Sequence, residues 1–407
     1  MIKPINTKRL ETIKKFLIYN FLRFLGYLIK KRETIWIFGE HSGLSFSGNP
    51  KYLYLYVKDH HPEIRPIWFT KSERIYKEIE KIGGETYLFD SIKALYFGLI
   101  AKVYIFSHSL YDINNYSIRK SKLVNLWHGM PIKDTTRLNE LLKEKVGSFR
   151  FKKQRIIQDL VSWDPKSKYD LLLSTSETTK ITLQKMFHST NNIVITGEPK
   201  NDIFFNGDKK QELLNKLNLS QFEDYKVVTY MPTFRDKPTN YINTFNFSET
   251  EMKDFNKILF LNKLHPADAS VKMSEEMDFP NLVYISNQDI YTQEIMFLTD
   301  ILITDYSSCF VDFLLLNRPI IFYAYDLDDY LKYRGFLYDY KSILPGKIVY
   351  NQEELFSALI DYVNHPDKDI SKRKSMLNFF HKFTNGQFSQ QVYTEIMNVL
   401  KQEMEYI

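Results

Sequence analysis

Two histidines in this chain stand behind apolar runs, each followed within three residues by a proline. The first lies in Trp127-His128-Gly129-Met130-Pro131-Ile132-Lys133, the second in Leu264-His265-Pro266. An imidazole at a strand end titrates near neutral pH and suits a general base, although a capping or core histidine fits the same residues equally well. Gly129 allows a turn or a close approach to a ligand, and Pro131 fixes the loop. A third cluster, Thr304-Asp305-Tyr306-Ser307-Ser308 through Asp312, sits where a strand gives way to a helix. There the hydroxyls of Ser307 and Ser308 and the free amides suit a phosphate, and Asp312 suits ribose hydroxyls; simple N-capping is the other reading. A fourth, Met231-Pro232-Thr233-Phe234-Arg235-Asp236, offers the forked cation of Arg235 for phosphate oxygens or for a surface pair with Asp236. Gly197-Glu198-Pro199-Lys200-Asn201-Asp202 adds a turn with a cation, Lys200. Asp326-Leu327-Asp328-Asp329 resembles a short acidic metal motif, but so brief a spacing arises often by chance. It reads as a solvated acidic turn, and no metal is assigned.

These clusters need strands to carry them. From Thr34 the sequence repeats apolar run, loop and amphipathic stretch: Thr34–Phe38, Arg65–Thr70, Thr86–Phe89, Lys102–Ser107, Lys122–Trp127, Tyr169–Ser174 and Ile193–Thr196. After a polar passage a second series begins, with Lys226–Tyr230, Lys257–Leu264, Leu282–Ile285, Ile301–Thr304 and Pro319–Tyr323. Short, nearly continuous apolar runs alternating with helices predict parallel sheets covered on both faces. The expected architecture is α/β, with two doubly wound, Rossmann-like domains facing a cleft, and ligands outside the carboxyl ends of the strands. The domain change falls in the polar passage near Asp208 to Asp224, giving domains at 34–215 and 216–375.

At 407 residues the chain exceeds one comfortable core, which agrees with two domains. The net charge of +6 lacks a long basic tract, which disfavours nucleic acid as a partner. A single cysteine, Cys309, allows no internal disulfide and points to a reducing compartment. No Gly-x-Gly-x-x-Gly or Walker sequence is present. Residues 1–33 contain an amphipathic stretch: Leu10, Ile13, Leu17, Phe21, Phe24 and Leu28 share a face rimmed by Lys14, Lys15, Arg23 and Lys30 to Arg32. Its apolar core is too short to span a bilayer, which needs roughly 20 residues. It suits a helix lying in the inner leaflet, on the cytoplasmic side of the membrane, with a helix packed on the protein's own core as the other reading and the basic rim favouring the first.

The ordered series Asn49-Pro50-Lys51-Tyr52, Trp127 to Lys133, Thr196 to Asp202, Met231 to Asp236, Leu264 to Pro266 and Thr304 to Asp312 resembles the CDP-glycerol glycerophosphotransferase family, the teichoic acid primases and polymerases. Tyr325-Asp326-Leu327, Tyr330 and Arg334-Gly335-Phe336 through Tyr340 extend the likeness, which runs from about Trp36 to Phe383. The resemblance implies a GT-B architecture with a helical segment at 376–407 that crosses back, and transfer of glycerol or ribitol phosphate from a CDP-polyol donor to a lipid-linked acceptor or growing polymer, releasing CMP. It implies His128 as base, with His265, Arg235 and Lys200 on the pyrophosphate and Ser307, Ser308 and Asp312 on the nucleotide. Trp127, Gly129, Met130, Pro131, Thr233, Phe234 and Leu264 fill out the donor site. Lys200 stands where the family pattern has Arg, and Asn385 to Gln391 is less charged than the pattern. A nucleotide-sugar glycosyltransferase of the same architecture and a non-catalytic membrane scaffold are the competing expectations.

Overall fold

The computed structural model describes residues 21–22, 24–113, 118, 120–134, 169–187, 190, 192–233, 235, 255–263, 279–285 and 290–405. They form two compact units. The first takes described residues from 1–128, 143–202 and 387–407; the second takes those from 129–142 and 203–386.

Unit 1 is built on seven parallel strands: β1 (Arg32–Phe38), β2 (Arg65–Thr70), β3 (Glu85–Leu88), β4 (Ala101–Phe106), β5 (Lys122–Asn125), β6 (Leu171–Ser174) and β7 (Ile193–Ile195). Their order is β3-β2-β1-β4-β5-β6-β7. Ile35 through Phe38 are buried in succession because helices cover both sheet faces, so successive side chains are buried whichever way they point. The helices are α1 (Gly48–His60), α2 (Glu73–Lys81), α3 (Ile92–Ile100) and α4 (Glu177–Met186). Ser72, Ser91 and Ser176 start α2, α3 and α4 by accepting the amides of Ile75, Ala94 and Thr179.

Unit 2 repeats the design with six parallel strands: β8 (Lys226–Met231), β9 (Ile258–Asn262), β10 (Leu282–Tyr284), β11 (Ile301–Thr304), β12 (Ile320–Tyr323) and β13 (Lys347–Val349). The order is β10-β9-β8-β11-β12-β13. Its helices are α5 (Lys210–Lys216), α6 (Thr292–Leu298), α7 (Cys309–Phe313), α8 (Leu327–Tyr333), α9 (Gln352–Asn364) and α10 (Ile370–Phe380). A short antiparallel ribbon pairs Lys133 with Phe336 and Asp134 with Gly335.

The last helix, α11 (Phe388–Glu405), belongs to unit 1. Both carboxylate oxygens of Asp202 accept its first amides, from Phe388 at 2.8 Å and Ser389 at 2.9 Å, so the helix start has a fixed acidic cap. Phe388, Val392, Ile396 and Leu400 turn inward, Tyr393 stacks on His61 at 3.6 Å, and Glu403 meets Lys102 and Lys122. The less charged Asn385 to Gln391 segment thus leads into a structural anchor.

Of the amino-terminal amphipathic stretch, residues 1–20 and Arg23 lie outside the described residues. Residues 24–28 are helical, and Phe21, Phe24, Tyr27 and Leu28 are 57–63% exposed. Among the described residues no helix is long and apolar enough to cross a membrane.

Candidate functional site

Both sheets reverse their winding between the first and fourth strands in order, and the crevice outside the carboxyl ends there is the usual ligand position. In unit 1 that point lies between β1 and β4. Gly39 and Glu40 follow β1; Ser107 and His108 follow β4. A Cβ at Gly39 would sit 2.0 Å from the Asp112 carbonyl oxygen, so only glycine lets these two loops approach. Asp112, fully buried, accepts the amides of Ser42 (2.7 Å) and His108 (2.8 Å), with Ser107 and Ser109 more distant. Ser107 Oγ donates to Glu40 Oε2 at 2.5 Å. His108 Nδ1 stands 3.3 Å from Glu40 and 3.7 Å from Asp112.

Glu40, His108 and Asp112 have the composition of a metal centre and the arrangement of an ion pair, with His108 Nδ1 within 4 Å of both carboxylates and the Ser107 hydroxyl between it and Glu40. Burial opposes charge on His108; the hydrogen bonds and charges of Asp112 and Glu40 outweigh it and lift the imidazole to about 10. Asp112 is held below the usual carboxylate range despite its burial, through His108 and the backbone amides. Burial pushes Glu40 up.

His128 follows β5, next to β4. Its ring lies parallel to that of His108, with centroids 4.2 Å apart and planes 3° apart. Nδ1 lies 3.3 Å from the Ser107 carbonyl oxygen, a bond that Nδ1 can make only as donor. The proton of the neutral ring therefore sits on Nδ1 and the lone pair on Nε2. Crowding by protein and the charge of His108 push the imidazolium down to about 4. His128 is nevertheless exposed.

The backbone before it is strained. Trp127 has φ +55°, a region bulky side chains avoid. Asn49, 1% exposed, enforces it: its amide donates to the carbonyls of Leu126 and Trp127, both at 3.0 Å, and to Glu198 at 3.1 Å. Asn125 accepts the Trp127 amide at 2.8 Å. Asn49 also accepts the Lys200 amide, and Lys200 Nζ lies buried 3.2 Å from Glu198. Lys200, the expected phosphate ligand, thus stands behind the His128 loop beside an acid.

In unit 2 the same crevice lies between β8 and β11. Arg235 donates to both oxygens of Asp326 (2.7 and 2.9 Å), to Asp305 (2.8 Å) and to the Thr233 carbonyl (2.6 Å). Tyr306, Tyr330 and Tyr325 ring the guanidinium at 5.0–5.8 Å. Burial opposes its charge, but Asp305 and Asp326 raise its pKa beyond the ordinary arginine value. Asp326, expected in a solvated turn, is instead a partner of Arg235 and of the Tyr306 hydroxyl at 2.9 Å. Asp305 also accepts the amides of Thr233 and Tyr306.

Around this core sit the remaining expected residues. Thr233 is buried, and Lys133 Nζ reaches its hydroxyl at 3.5 Å. Burial lowers Lys133 to about 8, with Asp305 opposing and Arg334 adding to the shift. Ser307 Oγ accepts the Cys309 amide at 3.3 Å; Ser308 precedes α7, and Asp312 is buried within it. Gly129 (φ +141°), buried Met130 and half-buried Pro131 belong to unit 2, whereas Trp127, His128 and Lys200 belong to unit 1. Phe234, Leu264 and His265 lie outside the described residues.

Sequence reasoning passed over Glu40, His108, Asp112, Asn49, Asp305 and Lys133 as site residues. Glu40, His108 and Asp305 share a signal with His128, since each follows a strand directly or after one residue. The alternation of strands and helices, extended to topology, would have flagged them.

The model of the CDP-glycerol:poly(glycerophosphate) glycerophosphotransferase family matches residues 20–398. The teichoic acid glycerol-phosphate transferase of Staphylococcus aureus is 30% identical over 404 residues, covering 94% of this chain and 98% of the relative. The teichoic acid poly(glycerol phosphate) polymerase of Bacillus spizizenii is 26% identical, covering 92% and 94%. Among solved structures, the wall teichoic acid polymerase TagF superposes with a TM-score of 0.74 at 24% identity, covering 98% of each chain, a likeness of fold.

Proposed function

The chain belongs to the CDP-glycerol:poly(glycerophosphate) glycerophosphotransferase family, and from that premise we propose that it transfers glycerol phosphate from CDP-glycerol to a hydroxyl of a lipid-linked teichoic-acid-type acceptor. The observation that carries the reading is His128: a solvent-reachable, neutral imidazole whose Nδ1 is tied to Ser107 and whose Nε2 keeps its lone pair. In the proposed step the acceptor oxygen attacks the β-phosphorus and its proton passes to Nε2. The bond from that phosphorus to the bridging oxygen breaks, and CMP departs with the electron pair. Such chemistry depends mainly on positioning and charge.

Unit 2 supplies the donor contacts in this reading. Ser307, Ser308, Thr233 and Asp312 meet the nucleotide, and Lys133 meets the diphosphate. The committed donors of Arg235 favour an organising role, holding Asp305 and Asp326. His265 is proposed as a second phosphate-side histidine on the family resemblance alone. The exposed Phe21, Phe24, Tyr27 and Leu28 support docking at the inner membrane surface, where a lipid-linked acceptor would be met.

The test is turnover. Purified protein given CDP-glycerol and a lipid-linked acceptor should release CMP, and His128→Ala should lose about two to four decades of rate. CDP-ribitol in place of CDP-glycerol reads out the polyol. Near-normal turnover by His128→Ala removes that residue from the mechanism. Stabilisation by a UDP-sugar and not by CDP-glycerol in a thermal melt refutes the donor class.

A further inference from the structure

We propose that His108, an imidazolium clasped between Glu40 and Asp112, is a positioning residue that holds the His128 ring in its plane and tautomer and keeps its Nε2 lone pair free. The inference rests on His128 acting as the base. His108 is itself half-buried, and its three contacts, with Glu40, Asp112 and the Ser107 hydroxyl (2.8 Å), all converge on Nδ1. It therefore faces the acids with its edge and His128 with its flat face.

Three consequences follow from that geometry. A flat ring 4.2 Å away leaves the His128 ring little freedom to tilt about its Nδ1 bond. Ser107 couples the two histidines, since its hydroxyl meets Glu40 and His108 while its carbonyl accepts from His128. A positive neighbour resists a second proton on His128, so the base is kept unprotonated before the acceptor arrives and sheds its proton readily afterwards. The groups facing this pair from each packed element are Glu40 after β1, His41 (5.4 Å from His108), Asp112 from the loop after β4, and Lys200, whose charge also lowers His128. At His128 the bond to the Ser107 carbonyl and, more weakly, the charge of Asp112 oppose them.

The experiment is an NMR titration of the full chain carrying isotope-labelled histidine, with the His128 signal among the nine histidines assigned by its loss in His128→Ala. In the unsubstituted protein His108 should remain doubly protonated past pH 8, with His128 neutral and protonated on Nδ1 at pH 7. His108→Gln keeps polar contact with the acids and removes the charge; His108→Phe keeps the stacked ring. Both should raise the His128 midpoint by about one pH unit or more, and His108→Gln should lower kcat by roughly tenfold with the donor KM little changed. If either variant fails to fold, the other gives the same reading. An unmoved His128 midpoint in a folded variant, or a His108 that loses its proton near pH 6.5, overturns the inference. Should His128→Ala be inactive while the midpoint stays put, the base reading stands and only the role of His108 falls. An active His128→Ala sinks the base reading instead.

Discussion

Arg235→Met removes the guanidinium from between Asp305 and Asp326 while roughly keeping the apolar stem. The Arg235 and Asp305 side chains are 6% and 0% exposed, so solvent cannot take over the lost bonds. Breaking a buried pair by deleting one partner costs about 3–5 kcal/mol, because the remaining charge is left without compensation. Here two carboxylates remain, but Asp305 keeps the amides of Thr233 and Tyr306, and Asp326 keeps the Tyr306 hydroxyl. Those bonds place the expected loss at the lower end, about 3 kcal/mol. For a unit of this size each kcal/mol moves the midpoint by about 2–4 °C, so unit 2 should melt about 6–12 °C lower. Calorimetry reads the shift, and hydrogen exchange across Ile301–Thr304 assigns it to unit 2. A folded Arg235→Met that melts within about 2 °C of the parent, yet raises the donor KM by tenfold or more, would refute the reasoning. The guanidinium would then be a solvated phosphate ligand.

Three further outcomes are expected. Asn49→Ala deletes three donated bonds and one accepted bond behind the His128 loop; it should cost about 2 kcal/mol in urea unfolding and depress kcat more than KM. Lys133→Gln should raise the donor KM by about tenfold or more, and the parent's KM should climb as pH passes about 8, where Lys133 loses its proton; an unchanged KM rejects the diphosphate contact. Unit 1 should lose stability at both ends of the pH scale. His108 has a folded pKa of about 10, above the unfolded value near 6.5, so its contribution is complete below pH 6.5 and lost as pH rises through 10. His128, at about 4, is the reverse: its contribution is present above pH 6.5 and lost as pH falls through 4. Thermal melts against pH check both limbs, and His108→Gln should flatten the alkaline one.

The sheet architecture was legible because buried parallel strands are short apolar runs, and twelve such runs fall on strands of the structure. β13 escaped: Lys347-Ile348-Val349 is three residues long, and its burial depends on β12 lying beside it. The ribbon joining Lys133–Asp134 to Gly335–Phe336 had no local signal, since its partners are some 200 residues apart. At the site, His128 could be seen because its own strand points to it. Glu40 and Asp112 could not, because only the β1–β4 adjacency brings residues 72 positions apart onto one imidazole. Asp326 misled for the same reason. Its local sequence is that of an acidic turn, and the guanidinium that explains it lies 91 residues away.

The two units reach a similar electrostatic solution from different strand ends, and the backbone explains part of it. Where neighbouring strands part, the loop amides have no ladder partner and must find an acceptor. A buried carboxylate meets that need in each unit: Asp112 for Ser42, Ser107, His108 and Ser109, Asp305 for Thr233 and Tyr306. A second acid follows in each, Glu40 or Asp326, and a cation must then stand between the pair to offset their burial. In unit 2 that cation is Arg235, whose fork closes on both acids. In unit 1 it is an imidazole, which can bond the acids only through one edge. Its flat face remains for another ring, and His128 occupies it. A guanidinium after the first strand of unit 2 is thus closed on both acids, whereas an imidazole after the fourth strand of unit 1 keeps a ring face for a neighbour.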